Sequence, residues 1–219
     1  MECTPTFLRA RRPEHKQQRY DAIRAAAREL ALLRGVRSVS LGDIAAEVGV
    51  HKSAILRYFE TREEIYLLIG AECWHEWSTA AHAELDGATG ARALADGLSK
   101  TLAERPLFCD LLAHAPMTLE RHVSPGAVRE FKLAALEAVD SLSALAVRVV
   151  PEMGEDRGFE VISAVGCFAA TAWQASHPPE ALAALYAEDP KLAKVCVDFV
   201  PAVSRFARVY IAGLVSGVD

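Results

Sequence analysis

The segment Ser40–Phe59, SLGDIAAEVGVHKSAILRYF, decides the fold of this 219-residue chain. Its pattern is that of a helix-turn-helix, in which Gly49 supplies the positive φ that the sharp turn needs. Ala45 is small where the two helices would cross. The apolar seam between them consists of Ile44, Val48, Val50 and Ile55. The residues left to face outward are Lys52, Ser53, Arg57 and Tyr58. When such a unit binds DNA, its second helix lies in the major groove.

The charges of the chain are distributed in a way that suits contact with nucleic acid at one end. Residues 1–64 carry 12 Lys/Arg and 9 Asp/Glu, whereas residues 65–219 carry 12 and 20, within a total of −5. Five of the basic residues fall between Arg9 and Arg19, just before the helix-turn-helix. A weakly basic head on an acidic body indicates a protein that touches phosphates with one end only.

Helix signals continue through the whole chain, and no stretch alternates as a strand would. A first helix is predicted over residues 14–34, ending at Gly35, and a fourth over 62–85, opened by the capping box Thr61–Glu64. Between them lie two short helices, 41–48 and 52–59. Glycines and prolines divide the remainder into predicted helices at 91–104, 107–114, 126–149, 157–176, 180–187 and 190–217. The predicted fold class is therefore all-α.

Composition argues against several other classes of protein. Five cysteines, with no C-x-x-C, fit neither a disulfide framework nor a zinc ribbon, and we expect them to be mostly buried. The most apolar stretch, 158–176, is short for a membrane span, and the N-terminus lacks a signal-peptide core. No histidine and carboxylate spacing indicates a metal site. We expect a cytoplasmic protein without metal or cofactor.

A longer run of residues resembles the N-terminal domain of the tetracycline-repressor (TetR) family. It extends over about 50 residues at family spacing: Arg19-Tyr-Asp-Ala-Ile23, Ala27, Gly35, Ser40, Ile44-Ala45, Gly49-Val50, Leu56-Arg-Tyr-Phe59 and Arg62-Glu-Glu-Ile65. The chain departs from the family pattern at Leu56, where tyrosine is usual, at Arg62, where lysine is usual, and at His51, a poor helix cap.

The resemblance implies a homodimeric transcriptional regulator, most simply a repressor that a small-molecule effector releases from a palindromic DNA operator. Three regions follow: a flexible basic arm (1–12), a helix-turn-helix DNA-binding domain (13–64), and a helical domain for effector binding and dimerisation (65–219). Carried over by position, Ser40 would bond a phosphate. Lys52, Ser53 and Arg57 would face the groove, Tyr58 the DNA backbone, and Arg62 a second phosphate.

The C-terminal domain should supply the dimer interface and the effector pocket. Between Arg157 and His177 the only formal charge is Glu160, and the last helix is also apolar, so both helices could pair across a two-fold axis or serve as core helices of a monomer. Pockets are mostly apolar with a few polar anchors. The candidate lining residues, which could equally be ordinary core, are Trp74, Trp77, Phe108, His114, Met117, Phe131, Trp173 and His177.

Two other functional classes remain open at this level. A helical-bundle enzyme could contain a helix-turn-helix, but neither a G-x-S-x-G nor a phosphate-cradling glycine loop nor a paired-carboxylate motif supports one. An architectural DNA-binding protein would have no use for an acidic body of about 150 residues. We therefore expect a regulator, not an enzyme.

Overall fold

The computed structural model describes the backbone of residues 11–217 and the side chains of residues 15–217, and within this range it contains helices and no strand. The predicted arm over residues 1–12 lies almost wholly outside the described part. The ten α-helices are α1 (Arg11–Arg34), α2 (Leu41–Glu47), α3 (Lys52–Ile55), α4 (Arg62–Glu84), α5 (Ala91–Ala103), α6 (Pro106–His114), α7 (Pro125–Val149), α8 (Gly158–Ser176), α9 (Glu180–Glu188) and α10 (Phe199–Ser216).

Helices α1 to α3 form a small head whose geometry is fixed by caps and turns. Gly35, with φ of +79°, ends α1, and Gly49, with φ of +69°, makes the turn between α2 and α3. Ser40 caps α2 by accepting a hydrogen bond from the amide of Asp43, whose carboxylate binds the Ser40 amide in return. The apolar positions between the helices, Ile23, Ala27, Ile44, Ala45 and Ile55, are buried. The helix-turn-helix prediction is confirmed.

The remaining helices form the body, and α4 joins the head to it. Thr61 caps α4, and the helix then runs without interruption from the head into the core. Helix α7 packs along α4 and α8, while α10 packs along α5 and α8. Helix α9 has no buried residue and contacts chiefly the short 3₁₀-helix Leu192–Val195. The all-α architecture of a small head on a larger body agrees with the predicted fold class.

Two predicted helices differ from the structure. The helix predicted over 52–59 is a single turn. The amides of Arg57 and Tyr58 bond to carbonyls three residues earlier, not four as in an α-helix, so the chain continues as tight turns. The helix predicted over 190–217 is broken: a 3₁₀-helix ends at Val195, and α10 begins at Phe199. Pro201 lies in the first turn of α10, where a missing amide hydrogen is tolerated.

The cysteines among the described residues divide into a buried pair and an exposed pair. Cys73 and Cys109 are buried, and burial raises the pKa of each thiol to about 12, whereas Cys167 and Cys196 are exposed, contrary to expectation.

Among the described residues, α10 is the one helix long and apolar enough to cross a membrane by length and composition, and only 28% of it is buried in the chain. Core helices of soluble proteins meet the same criterion, and α10 carries Arg205 and Arg208 in its middle.

Candidate nucleic-acid interface

The recognition surface lies on α3 and the turn after it. Ile55 is fully buried and anchors α3 to the head, whereas Lys52, Ser53 and Arg57 are exposed together on its outer side. His51 caps the helix weakly: its Nδ1 accepts from the amide of Ser53 at 3.4 Å and lies 3.0 Å from the Ser53 hydroxyl. Three exposed groups that can donate hydrogen bonds thus lie on α3 and the turn after it.

A second basic group lies beside α3, on the N-terminal turns of α1. His15, Lys16 and Arg19 line a shallow groove of about 390 Å³ together with the half-buried Tyr58. Tyr20, next to Arg19, stacks on Phe59 with ring centroids 4.7 Å apart, which holds this part of α1 against the end of the helix-turn-helix. The predicted basic flank is therefore adjacent to the recognition surface, at least from His15 onward.

Ser40 and Arg62, the two predicted phosphate contacts, both have partners within the head. The Ser40 hydroxyl donates a hydrogen bond to the carboxylate of Asp43. This bond, together with the one from the Ser40 amide, lowers the pKa of Asp43. Arg62 is only 21% exposed, and its Nη2 donates to the carbonyl of Val36 at 2.7 Å. Its guanidinium also lies over the Tyr66 ring. The phosphate contact of Arg62 stays a prediction that requires the side chain to leave these partners.

Two family models match the sequence and together identify the family of the chain. Residues 23–69 match the model described as bacterial regulatory proteins, tetR family, and residues 71–217 match the model described as tetracyclin repressor-like, C-terminal domain. Together they cover most of the chain, including the whole helix-turn-helix.

The chain belongs to the TetR family.

A solved structure with a TM-score above 0.5 supports this all-helical fold. The fatty acid degradation regulator FadR from Bacillus halodurans is 13% identical, with a TM-score of 0.54 over 91% of this chain and 100% of that chain. FadR from Thermus thermophilus, a TetR-family repressor in complex with lauroyl-CoA, is 18% identical, with a TM-score of 0.48 over 91% and 95% of the two chains. No curated protein matches the sequence. At these identities the likeness concerns the fold alone.

The eight candidate pocket residues of this TetR-family body do not converge on one site. Trp74, Phe108 and Phe131 border a small apolar cavity between α4, α6 and α7, whose free volume is about 10 Å³, room for no more than about one water molecule. Trp77 is fully buried and donates a hydrogen bond from Nε1 to Thr101. Met117 is 68% exposed on the π-helix Ala115–Leu119, which the sequence analysis did not predict.

The other three candidates line a different, open cavity between head and body. It has a volume of about 490 Å³ and lies between the end of α1, helix α6 and the end of α8. His114, Trp173 and His177 form its body side, where the rings of Trp173 and His177 stack with centroids 3.7 Å apart. Arg34 and Arg37 line its head side.

Asp110, on the floor of this open cavity, is a polar residue that sequence reasoning missed. Two of its partners lie 74 and 64 residues away, so spacing along the chain does not predict them. The available signals are local: an acid inside the apolar run Leu107–Leu112, and His114 four residues after it on α6. Among the described residues, no group of three His, Cys, Asp or Glu is arranged to hold a metal ion.

Proposed function

We propose that this protein is a DNA-binding transcriptional regulator that acts as a homodimer and represses from a palindromic operator until a small-molecule effector releases it. The observation that carries the proposal is the pairing of buried Ile55 with exposed Lys52 and Ser53 on α3 and exposed Arg57 in the turn after it. An arginine or lysine on a recognition helix can donate to O6 and N7 of guanine, the commonest specific contact in the major groove. The fixed inner face of α3 holds these side chains in register.

Phosphate contacts would come from residues around α3. Lys16 and Arg19 on α1, together with Tyr58, line one groove beside the recognition helix. Ser40 begins α2, where the helix dipole also favours an anion. Each such contact releases counterions from DNA, so affinity should fall steeply with salt.

The dimer interface proposed here is the α8/α10 face, made of Ala164, Phe168 and Thr171 on α8 with Phe206, Val209 and Gly213 on α10. Phe168 and Phe206 stack in parallel with centroids 4.3 Å apart and are only half-buried within one chain. Val209 is 67% exposed. Exposed apolar surface with small residues supports close packing of two copies, and a two-fold dimer presents two heads to a palindrome.

The effector site proposed here is the small apolar cavity bordered by Trp74, Phe108 and Phe131. Phe131 packs directly on α4 at Gly70, where an added Cβ would lie 3.0 Å from its ring. Movement of the Phe131 side chain would enlarge the cavity without breaking a hydrogen bond of that side chain. Helix α4 runs from this cavity to the head, so a tilt imposed near Trp74 would change the spacing of the two recognition helices. For operator binding that spacing must stay at about 34–36 Å.

The proposal places the protein in the cytoplasm, with double-stranded DNA, a second copy and a small molecule as partners. It assigns no catalytic role. The helix-turn-helix and the acidic body together need no reaction chemistry, only differential affinity of the effector for two arrangements of the heads.

Capture of genomic fragments on the purified protein, followed by sequencing, tests the DNA-binding part. We expect enrichment of a palindromic motif whose half-sites are about one helical turn apart. Enrichment of unrelated fragments in proportion to their length would contradict sequence-specific binding.

A thermal-shift screen with small hydrophobic compounds, followed by DNA titration of wild type and Trp74→Ala, tests the effector part. A compound that stabilises wild type yet leaves operator affinity unchanged would contradict release.

A further inference from the structure

The contact between head and body contains one carboxylate that joins three separate segments. Oδ2 of Asp110, on α6, accepts a hydrogen bond of 2.7 Å from the backbone amide of Val36 in the head. Oδ1 of Asp110 accepts a bond of 2.8 Å from Nε2 of Gln174 on α8. Nδ1 of His114, one turn along α6, lies 3.3 Å from the same Oδ1. The Asp110 side chain is only 14% exposed.

Val36, on the other side of this contact, is held at both of its backbone polar groups. Its amide binds Asp110, and its carbonyl accepts from Arg62 at the start of α4. The side chain of Val36 is fully buried. The 3₁₀-turn Val36–Ser38 then leads through Ser40 directly into α2 and the recognition helix. A displacement of Val36 would therefore carry the helix-turn-helix with it.

The charge state of Asp110 suits a permanent acceptor. Burial alone would raise its pKa, but the bonds from His114, the Val36 amide and Gln174 together hold the pKa below its ordinary value. A carboxylate that accepts from a backbone amide makes a stronger bond than a neutral acceptor does. Moreover, an amide left unpartnered at this half-buried contact would lose that bond without full access to water.

We propose that Asp110 is a positioning residue for DNA binding, which fixes the head at one place on the body by binding the amide of Val36. Asp110 touches no DNA in this proposal. It narrows the range of head positions, so that the two recognition helices of a dimer meet the operator without first having to be ordered. The inference rests on the proposed DNA-binding function, although the bond itself exists without DNA.

The test combines hydrogen exchange with operator titration on the full-length chain. In Asp110→Ala, exchange at the Val36 amide should become at least about tenfold faster, because the bond from Asp110 is the protection that the substitution removes. Operator affinity should fall about tenfold, since only a fraction of the heads is then placed to bind. The slope of affinity against salt should stay the same because no phosphate contact is lost.

Asp96→Ala is the matched control. Asp96 also joins two elements, accepting from the hydroxyl of Ser204, but both elements lie within the body. It should leave Val36 exchange and operator affinity at wild-type values. If Asp110→Ala does not fold, Asp110→Asn replaces it. The amide oxygen of asparagine still accepts from Val36, so the same changes are expected at smaller size.

Unchanged exchange at Val36 in the Asp110 variant would overturn the proposal. So would faster exchange with unchanged operator affinity, because the bond would then position nothing that DNA requires. An equal rise of exchange in α8 and α10 would also overturn it, since Asp110 would then support stability in general. If wild type binds no operator at all, the proposed function itself is wrong, a result separable because Val36 exchange is measured without DNA.

Discussion

The head–body joint and the α8/α10 face border the same helical body, but different kinds of contact build them. In the head–body joint the Val36 amide donates to Asp110 and the Val36 carbonyl accepts from Arg62. Ion pairs also join Arg24 and Arg28 on α1 to Glu72 and Glu76 on α4. The α8/α10 face is apolar and partly exposed, with aromatic and small side chains, and is the proposed contact with a second copy.

This difference matters because polar and apolar contacts respond differently to displacement. The ion pairs of Arg28, at 3.0 Å to Glu72 and 2.9 Å to Glu76, are partly exposed, and water can replace each partner as it moves away. Apolar surface has no such substitute, and its exposure costs roughly 25 cal/mol per Å². We infer that the ion-paired part of the joint is the adjustable contact of the body and the α8/α10 face the permanent one.

Val209→Asp should have the largest effect, because it places an unpaired charge in the permanent contact. Val209 is 67% exposed within one chain, so the fold of the single chain should survive. The protein should sediment as a monomer of 23.7 kDa, and operator affinity should fall by about a hundredfold or more as the second head is lost.

Leu136→Asp is the control for this substitution, because Leu136 is similarly exposed but lies on α7. It should leave the dimer intact. If Val209→Asp remains dimeric with full operator affinity, the permanent contact lies elsewhere.

Arg57→Ala should have the next largest effect, and it acts on the head without touching either contact of the body. If Arg57 reads a base edge, the substitution should remove about 1–3 kcal/mol of preference for the operator over a shuffled duplex. Competition titrations with both duplexes measure the difference, with the exposed Arg208 of α10 replaced by alanine as the control. An equal loss on both duplexes would make Arg57 a phosphate contact.

His114→Gln should have a smaller effect that depends on pH and sharpens the account of the joint. The hydrogen bond with Asp110 raises the pKa of His114 above 6.5. The folded state therefore favours the protonated ring. The contribution of the His114–Asp110 pair to the free energy of unfolding is complete below pH 6.5 and is lost as the pH rises through the raised pKa. Urea unfolding at pH values on both sides of 6.5 should show the stability of wild type and variant converging at high pH. His75→Gln, on the exposed side of α4, is the control; a gap that widens with pH would contradict the pairing.

The ion pair of Arg28 with Glu76 should have the smallest effect. The two side chains are 30% and 49% exposed, so solvent screens the attraction. A double-mutant cycle with alanine at both positions should give a coupling of about 0.2–1 kcal/mol that shrinks with added salt. A coupling well above this range would mean that the joint is more rigid than its exposure indicates.

Local signals predicted most of the fold and the outer surface of the head. Ser40, Gly49 and Thr61 act on residues within four positions of themselves, so their caps and turns could be read from spacing. The α3 helix was predicted too long because Arg57 and Tyr58 have ordinary helix propensity, and the tight turn depends on packing of Ile55 and Phe59. Pro201 indicated a kink or a new helix within the last predicted piece, but the break at Val195–Asp198 itself was not located because that segment contains no glycine or proline.

The interior of the body could not be predicted from spacing. Whether Trp74 and His114 share one pocket depends on which face of α4 and α6 each occupies, and the structure assigns them to two different cavities. Asp110 and Arg62 take partners on distant segments, contacts that only the folded chain creates. Candidate DNA contacts are local to one motif, whereas pocket and joint residues are defined by tertiary packing.

We infer that a dimer joined by its apolar face presents two heads to one operator. Sedimentation of a labelled duplex that carries the captured palindrome, titrated with protein, tests this arrangement. We expect two chains per palindromic duplex, bound together without a detectable one-chain complex, and weak binding to a duplex with a single half-site. Equally tight binding of one chain to a single half-site would contradict it.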